Sequence, residues 1–389
     1  MGVVALPECR IRMPIYLTQA FRPFFPLAAL YTAVSVLVWL GGLSGAVPLL
    51  PNATLWHAHE MLLGFATAVI AGFVLTAAAN WTGQKTTTPA SLALLVVIWL
   101  CARVTALVPD VEWQRFSAVF DSGVLPLLAA MMTRVLLRSG NRRNYMFIPF
   151  LWGLALINLG FHWSLRHQQI DQARQLITLT AWLVGFLMVF MGGRVIPFFS
   201  ANRLQYTPLQ WPWLNWLSTL SALLAGVLVV ALPLTIWAGV AAAIAGASAL
   251  LRLLLWQPWR TVREPMLWIL HVGYAWLVAA YGVAALLHLG WLHSPLTLPI
   301  HILMAGGLGC LGLGMMTRVA LGHSGRPIVA GRWLVFAFIA VVAAGVLRVG
   351  SYAVWPLGGI SGWSGSAMLW AGAFSIYFLA LAPLLWRKA

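Results

Sequence analysis

Residues 56–84, WHAHEMLLGFATAVIAGFVLTAAANWTGQ, place three ionisable side chains at the start of an apolar segment long enough to cross a membrane. These side chains belong to His57, His59 and Glu60. An ionisable group is costly to bury in a bilayer, so it usually has a partner or a ligand there. The segment therefore predicts a transmembrane helix with a functional site at one end.

The same pattern returns 242 positions later, in HILMAGGLGCLGLGMMTRVALGHSGR at residues 301–326. The first copy matches the last at four positions: His59, Gly64, Gly72 and Gly83 match His301, Gly306, Gly314 and Gly325. A weaker copy lies between them at an offset of 124, where Gly185, Gly193 and Arg194 match Gly309, Thr317 and Arg318, and Ile177 replaces the histidine. Arg103 and Arg348 also correspond, 245 positions apart. This period predicts three pseudo-symmetric units.

The composition is that of a polytopic membrane protein. The chain has 389 residues, of which 62% are hydrophobic, and its mean hydropathy is +0.90. We predict an all-α fold with about twelve transmembrane helices in one integral membrane domain of residues 1–389, divided into four-helix units at about 20–140, 141–260 and 261–386. The predicted spans are 24–43, 57–79, 90–108, 117–137, 145–163, 175–197, 213–231, 234–255, 266–288, 298–320, 333–351 and 364–386. The join at 231–234 must reverse the chain around Pro233.

The net charge of +16 is a topology signal. Eighteen of the 23 Lys and Arg residues flank the even-numbered loops and the termini, and five lie on the other side. The positive-inside rule then predicts a multi-pass membrane protein with both termini in the cytoplasm. The partner of this charge is the lipid bilayer, and nucleic-acid binding is excluded.

Seven of the nine histidines fall on the outer side of this topology: His57, His59, His162, His167, His288, His293 and His301. The repeat pairs His59 with His301, so we expect these imidazoles to face one shared ligand, either a metal ion or heme iron. His57 joins them only if the first helical turn is irregular, since residues i and i+2 point about 200° apart. Imidazoles suit copper or zinc, and one or two axial imidazoles suit heme. Glu60 is the candidate catalytic residue, as a proton relay or an orienting group, or it is a solvated charge at a helix start.

A second group of polar residues is predicted at the cytoplasmic side. It comprises Arg194, His271, Arg318 and His323. Arginines at cytoplasmic helix ends usually determine topology, and the alternative is that they bind carboxylates such as heme propionates. His271 lies about 8 Å below its helix end at 1.5 Å per residue, and is a candidate metal or heme ligand. Met188, Met191, Met315 and Met316 are interpreted as filling gaps between helices.

Several long motifs, in order, resemble the NnrS family of heme- and copper-containing bacterial inner-membrane proteins associated with nitric oxide metabolism. They are FRPFFPLAALY, WHAHEMLLGF, NWTGQ, GGRVIPFF, WILHVGYAW and MMTRVALGHSGRP, from about residue 21 to beyond 350. The resemblance implies copper and heme, with b-type heme expected, and it falls on His57, His59, Glu60, Arg194, His271, His301, Arg318, His323 and Arg326. The twelve-helix outline is also similar to heme-copper oxidase subunit one. That family's copper-binding histidines on helices six and seven are absent here.

The resemblance implies a role in nitric oxide metabolism or in protection against nitrosative stress, with nitric oxide or a similar small molecule as ligand. The protein would act as a redox enzyme or as a protective binder, and its electron donor is unidentified. The alternatives are a secondary transporter of a small solute and a metal-free assembly factor. Transporters of this size commonly consist of two six-helix halves, and the three-unit period argues against that arrangement.

Overall fold

The computed structural model describes residues 15–48, 52–353 and 360–387, and over these ranges it is all-helical, as predicted. Twelve helices of the described chain are long and apolar enough to cross a membrane, which confirms the predicted multi-pass architecture. They are α1 (Phe21–Leu43), α2 (Ala53–Thr82), α3 (Pro89–Ala106), α4 (Val111–Ser139), α5 (Phe147–Arg166), α6 (Ile170–Leu204), α7 (Pro212–Ala231), α8 (Ile236–Leu255), α9 (Pro265–His288), α10 (Thr297–His323), α11 (Arg332–Gly350) and α12 (Ile360–Trp386). Short 3₁₀ helices lie at Ile15–Leu17, Arg142–Asn144 and Pro258–Thr261.

The short join after residue 231 does reverse the chain. α7 ends at Ala231 and α8 begins at Ile236, with Leu234 at a φ of 58°. Thr235 accepts a hydrogen bond from the Ala238 backbone N–H and so caps α8. The backbone N–H of Leu234 donates to Nδ1 of His288 at 2.8 Å, so this histidine stabilises the turn.

Other helix ends follow from local sequence. Thr88 and Ser91 form a capping box at the start of α3, with Pro89 in the first helical position. Asp110 caps α4 by accepting from backbone N–H groups of the first turn. α2 ends before Gly83, which has a φ of 66°, a left-handed conformation that glycine adopts without strain.

Two of the helices are interrupted by a π-helical segment. α2 winds as a π-helix at Glu60–Ala66, directly after His59, and α10 does so at Ile302–Leu308, directly after His301. The two segments are 242 positions apart, the same offset as the sequence match. A π segment carries an extra residue per turn and is frequent at functional sites.

Most sequential helices pack against each other, and α12 packs against α1. α2, α6 and α10 are distant in sequence and also contact one another. In the most apolar 18-residue stretch of each helix, 83% of the residues are buried in α2 and 67% in both α6 and α10. The corresponding share in the other helices is 39–61%. These three central helices, with Phe25 of α1, line an apolar cavity of about 100 Å³. The division into three four-helix units stays a prediction, and this central trio is an observation that supports it.

Candidate metal centre

The π segment of α2 begins a buried polar cluster. His59 is 4% exposed and Glu60 is 2% exposed, although they are adjacent in sequence. Nδ1 of His59 lies 2.8 Å from Oε1 of Glu60. In a regular helix adjacent side chains point about 100° apart. The helix changes to π winding where His59 and Glu60 are both buried.

His59, Asp121 and His162 form a group with the donors of a metal site. Oδ2 of Asp121 lies 3.2 Å from Nε2 of His59 and 3.0 Å from Nε2 of His162. One ligand atom from each residue falls within 4.8 Å of the others. The three side chains come from α2, α4 and α5. Two imidazoles and one carboxylate are ligands that iron, copper and zinc accept.

Arg103 of α3 joins the two acids of the cluster. One of its Nη atoms donates to Oε2 of Glu60 and the other to Oδ1 of Asp121. Arg103 is 1% exposed, so neither ion pair is weakened by water. Tyr31 of α1 also donates its hydroxyl to Oε2 of Glu60. The guanidinium therefore holds both carboxylates in place from the side opposite the imidazoles.

Both ring nitrogens of His59 have polar neighbours. Its Nδ1 faces Glu60, and its Nε2 faces Asp121 and Oδ1 of Asn158, which lies 3.2 Å away. These oxygens accept hydrogen bonds and so fix the orientation of the ring. Metal binding by an imidazole competes with protonation, so a metal cation at this cluster would take the place of a proton.

The cluster is closed by side chains of α5. Asn158 donates Nδ2 to Oδ2 of Asp121 at 2.7 Å. Phe161 stacks on the His59 ring with centroids 4.7 Å apart. His162 is partly exposed, with 17% of its side chain accessible. The cluster is therefore most open at its His162 edge.

His301 lies in a different network. Its Nε2 is 2.8 Å from Nη2 of Arg348, and its Nδ1 is 2.8 Å from the hydroxyl of Tyr352 and 2.9 Å from the carbonyl of Thr297. The paired positions of the repeat thus differ: Arg103 binds carboxylates beside His59, whereas Arg348 binds His301 directly. Ile302 stands where the first copy has Glu60.

The expectation that His59 and His301 face one ligand finds no support in these contacts. Among the described residues the two imidazoles have no hydrogen-bond partner in common. His57 lies apart from the cluster and stacks on Trp39, with ring centroids 4.2 Å apart. Their assignment as metal or heme ligands stays a prediction. Among the described residues, His59 belongs to the group of two histidines and an acid, and His301 lies within electrostatic range of His57 and Arg348.

The predicted cytoplasmic residues are dispersed over several contacts. Arg194 donates to Oδ1 of Asn144 at 2.8 Å, and the Arg318 guanidinium lies 3.9 Å from the centroid of Phe199. The His323 ring lies 5.6 Å from that of Phe21. Arg326 lines a surface pocket of about 310 Å³ together with Arg22 and Arg387. A common binding site for these residues stays a prediction.

His271 is the buried histidine with an open ring nitrogen. Its Nε2 lies 3.0 Å from Oγ of Ser200. Its Nδ1 is buried and has no hydrogen-bond partner within the described parts of the chain. The structure therefore places this predicted ligand outside the His59 cluster, with Ser200 of α6 as its neighbour.

Sequence reasoning missed Asp121 and Asn158, and left His162 as an ordinary histidine of the outer side. Two signals were available. The chain has seven acidic residues, and an acid within an apolar span is a functional-site hypothesis by default. Asn158 and His162 are four residues apart, which places both on the same face of α5. What the sequence lacked was the pairing of α4 and α5 with α2.

Comparisons with known proteins identify the family. No curated protein matches the chain. A family model described as NnrS protein matches residues 15–388, nearly the whole length. The match includes all three segments that carry the His59, Asp121 and His162 cluster. The chain therefore belongs to the NnrS family.

Proposed function

We propose that this protein binds a transition-metal ion at His59, Asp121 and His162 and uses it to bind nitric oxide within the membrane. The observation that carries the proposal is the buried group of two imidazoles and one carboxylate, whose ligand atoms lie within 4.8 Å of one another. Membership of the NnrS family supports a role in nitric oxide metabolism. Copper is the metal that the sequence resemblance implies, and this donor set accepts it.

The surroundings of the three ligands fit a cation. The cluster holds two carboxylates, Glu60 and Asp121, and one permanent cation, Arg103. With neutral imidazoles its charge is −1, and a buried charge requires compensation. Glu60 hydrogen bonds Nδ1 of His59, so Nε2, on the side of Asp121, is the nitrogen that would hold a metal ion. Such a carboxylate orients a ligand imidazole and increases its basicity.

Heme does not fit the residues that were predicted to bind it through His59 and His301. Nε2 of His301 meets Arg348 and its Nδ1 meets Thr297 and Tyr352, so among the described residues His301 shares no hydrogen-bond partner with His59. The central cavity of about 100 Å³ is smaller than the roughly 300–1,000 Å³ of a typical cofactor pocket. No histidine lines that cavity among the described residues. The proposal therefore assigns no step to heme.

A bound metal ion would supply an electron-accepting site for nitric oxide. The protein's own part in the chemistry is to position and protect that site. Arg103 fixes the carboxylate of Asp121, and the Phe161 ring excludes water from one side of His59. Glu60 lies against Nδ1 of His59, at 2.8 Å, where it orients the imidazole. Partial exposure of His162 leaves a route for a small ligand.

We also propose that the protein lies in a bacterial inner membrane with both termini in the cytoplasm. The excess of Lys and Arg at the even-numbered loops supports this orientation. The metal cluster then lies in the outer half of the bilayer, close to the ends of α2, α4 and α5 that face the periplasm.

The test is a metal count on detergent-purified protein from cells grown with added copper and iron. Wild type should hold about one metal ion per chain at this site, and H162A and D121N should lose it. H167A is the matched control, because His167 is an exposed histidine near the end of the same helix. Addition of nitric oxide should change the electron paramagnetic resonance spectrum of wild type and H167A only.

Two results would overturn the proposal. Unchanged metal content in both H162A and D121N would move the metal elsewhere in the chain. Metal-free wild type from metal-replete cells would reject a metal centre and favour the transporter alternative.

A further inference from the structure

We propose that the cavity between α2, α6 and α10 is a binding site for a small, uncharged, apolar molecule of the size of a diatomic gas. The identification of that gas as nitric oxide rests on the proposed function. The binding of an apolar probe such as xenon to the cavity is independent of that function. The inference rests on three observations: the origin of the lining residues, their chemistry, and the space beside Gly312.

The lining residues of α2 and α10 occupy equivalent positions of the sequence repeat. α2 contributes Ala66, Val69, Ile70, Phe73 and Val74. Adding the repeat offset of 242 to each number gives Leu308, Leu311, Gly312, Met315 and Met316, and all five line the cavity from α10. A correspondence at every position indicates that the two helices approach the cavity in the same orientation.

The third wall comes from α6, which belongs to the middle repeat and is offset from α10 by 124 positions. Subtracting 124 from the numbers of the α10 set gives Val184, Leu187, Met188, Met191 and Gly192, and all five line the cavity from α6. Three helices thus present the same five positions to one space. We infer that the cavity lies on a pseudo-threefold axis of the chain.

The chemistry of the wall selects an apolar occupant. The residues of the three helices that face the cavity are aliphatic, aromatic, methionine or glycine, without a charged or hydroxyl-bearing side chain. Empty cavities with such linings remain dry, and one of about 150 Å³ binds benzene or xenon. At about 100 Å³ this cavity is large enough for one or a few small apolar molecules. Ions are excluded, because nothing in the wall replaces their hydration.

Two of the three walls lie directly beside π segments. Ala66 and Leu308 are the last residues of the π segments of α2 and α10, and both line the cavity. The segment that carries Glu60 therefore runs from the metal cluster to the cavity within two helical turns. A gas held in the cavity would thus be one π segment away from Glu60 along α2.

Gly312 offers a way to fill the cavity without disturbing its wall. A Cβ added there meets only ordinary van der Waals contacts, with Cδ1 of Leu308 at 3.9 Å and Cζ of Phe65 at 4.0 Å. Larger side chains at this position extend into the empty space. Gly372 is the matched control, because it lies on an exposed face of α12 with no heavy atom within 4 Å of an added Cβ.

The experiment is xenon binding, located by anomalous diffraction from xenon-pressurised crystals of the full-length protein. We expect a xenon peak in the cavity for wild type and G372L, and none there for G312L. G312A, which adds one methyl group, should retain a weaker peak, and it provides the comparison if G312L does not fold.

Absence of the wild-type peak, or a full peak in folded G312L, would overturn the inference. Metal content measured on the same crystals separates this test from that of the proposed function. If xenon binds in the cavity of crystals that hold no metal, the gas site is supported and the metal centre is rejected. If the crystals hold metal but no xenon in the cavity, only the gas site is rejected.

Discussion

Nη1 of Arg103 lies 2.7 Å from the point that a Cβ on Gly64 would occupy. Oε2 of Glu60 lies 3.0 Å from the same point. The structure thus gives a specific reason for a glycine at position 64. The missing side chain leaves room for the Arg103 guanidinium and the Glu60 carboxylate to meet beside the helix backbone.

Substitution of Gly64 by alanine should therefore destabilise the protein, because the ion pair must shift to admit the methyl group. We expect a loss of about 1–3 kcal/mol in the free energy of unfolding, as for other overpacked sites. The matched control is G153A, since an added Cβ at Gly153 meets no heavy atom within 4 Å. Thermal unfolding in detergent measures both. Equal stability of G64A and wild type would contradict the assigned role of Gly64.

Replacing Arg103 by glutamine should have a larger effect. The substitution leaves Glu60 and Asp121 as buried acids without their shared cation, and breaking a buried pair in this way costs about 3–5 kcal/mol. R115Q is the control, because Arg115 pairs with Glu112 on the exposed surface, where a pair contributes about 0–1 kcal/mol. If both variants unfold at the same temperature, the buried ion pairs do not stabilise the fold.

The hydroxyl of Tyr31 should contribute measurably through its bond to the Glu60 carboxylate. Y31F removes a hydrogen bond to a charged group, for which about 1.5–3 kcal/mol is expected. Y377F is an informative comparison, because the Tyr377 hydroxyl is buried without a partner among the described residues. Its removal should leave the unfolding temperature unchanged or raise it. The opposite ranking of the two variants would argue against the hydrogen-bond assignment.

His301 provides a test between the sequence hypothesis and the structure. If His59 and His301 share one metal or heme, H301A should lose that cofactor as completely as H59A does. The structure predicts instead that H301A keeps the metal of the His59 cluster. The reason is that the hydrogen bonds of His301 are with Arg348, Tyr352 and Thr297. Metal analysis of the two variants side by side measures the difference. Equal loss would restore the shared-ligand hypothesis.

The predicted orientation is open to a direct measurement. A green fluorescent protein fused after residue 389 should fluoresce, because it folds in the cytoplasm and fails to do so after export through the general secretory pathway. A fusion inserted in the loop between α5 and α6 should be dark and accessible to reagents added outside the inner membrane. A fluorescent loop fusion with a dark C-terminal fusion would reverse the orientation.

Much of the fold followed from sequence, because each apolar segment reports its own length. The twelve predicted spans correspond to the twelve observed helices, and the short turn at Pro233 was anticipated. The 242-residue offset was also visible, since glycines recur with it. It reappears in the spacing of the two π segments and in the lining of the central cavity.

The site was less predictable, because its members come from four helices. Sequence reasoning selected His59 and Glu60 from their place in an apolar helix, and both are in the cluster. It did not connect them to Asp121, because that contact depends on how α4 packs beside α2. The repeat also suggested a site shared by equivalent residues, but equivalent positions can have different partners. Arg103 binds two carboxylates, whereas Arg348 binds His301.

The π segment at Glu60–Ala66 makes the cluster depend on chain length as well as on residue type. A π segment holds one residue more than α winding would over the same stretch, so deleting one of its residues restores ordinary winding and leaves the parts of α2 on either side nearly in register. Glu60, which lies inside the segment, would change direction relative to Arg103, whereas His59 would keep its orientation. The same deletion in the regular winding after Ala66 has no extra residue to absorb it and would turn the side chains before it by about 100° relative to those after it.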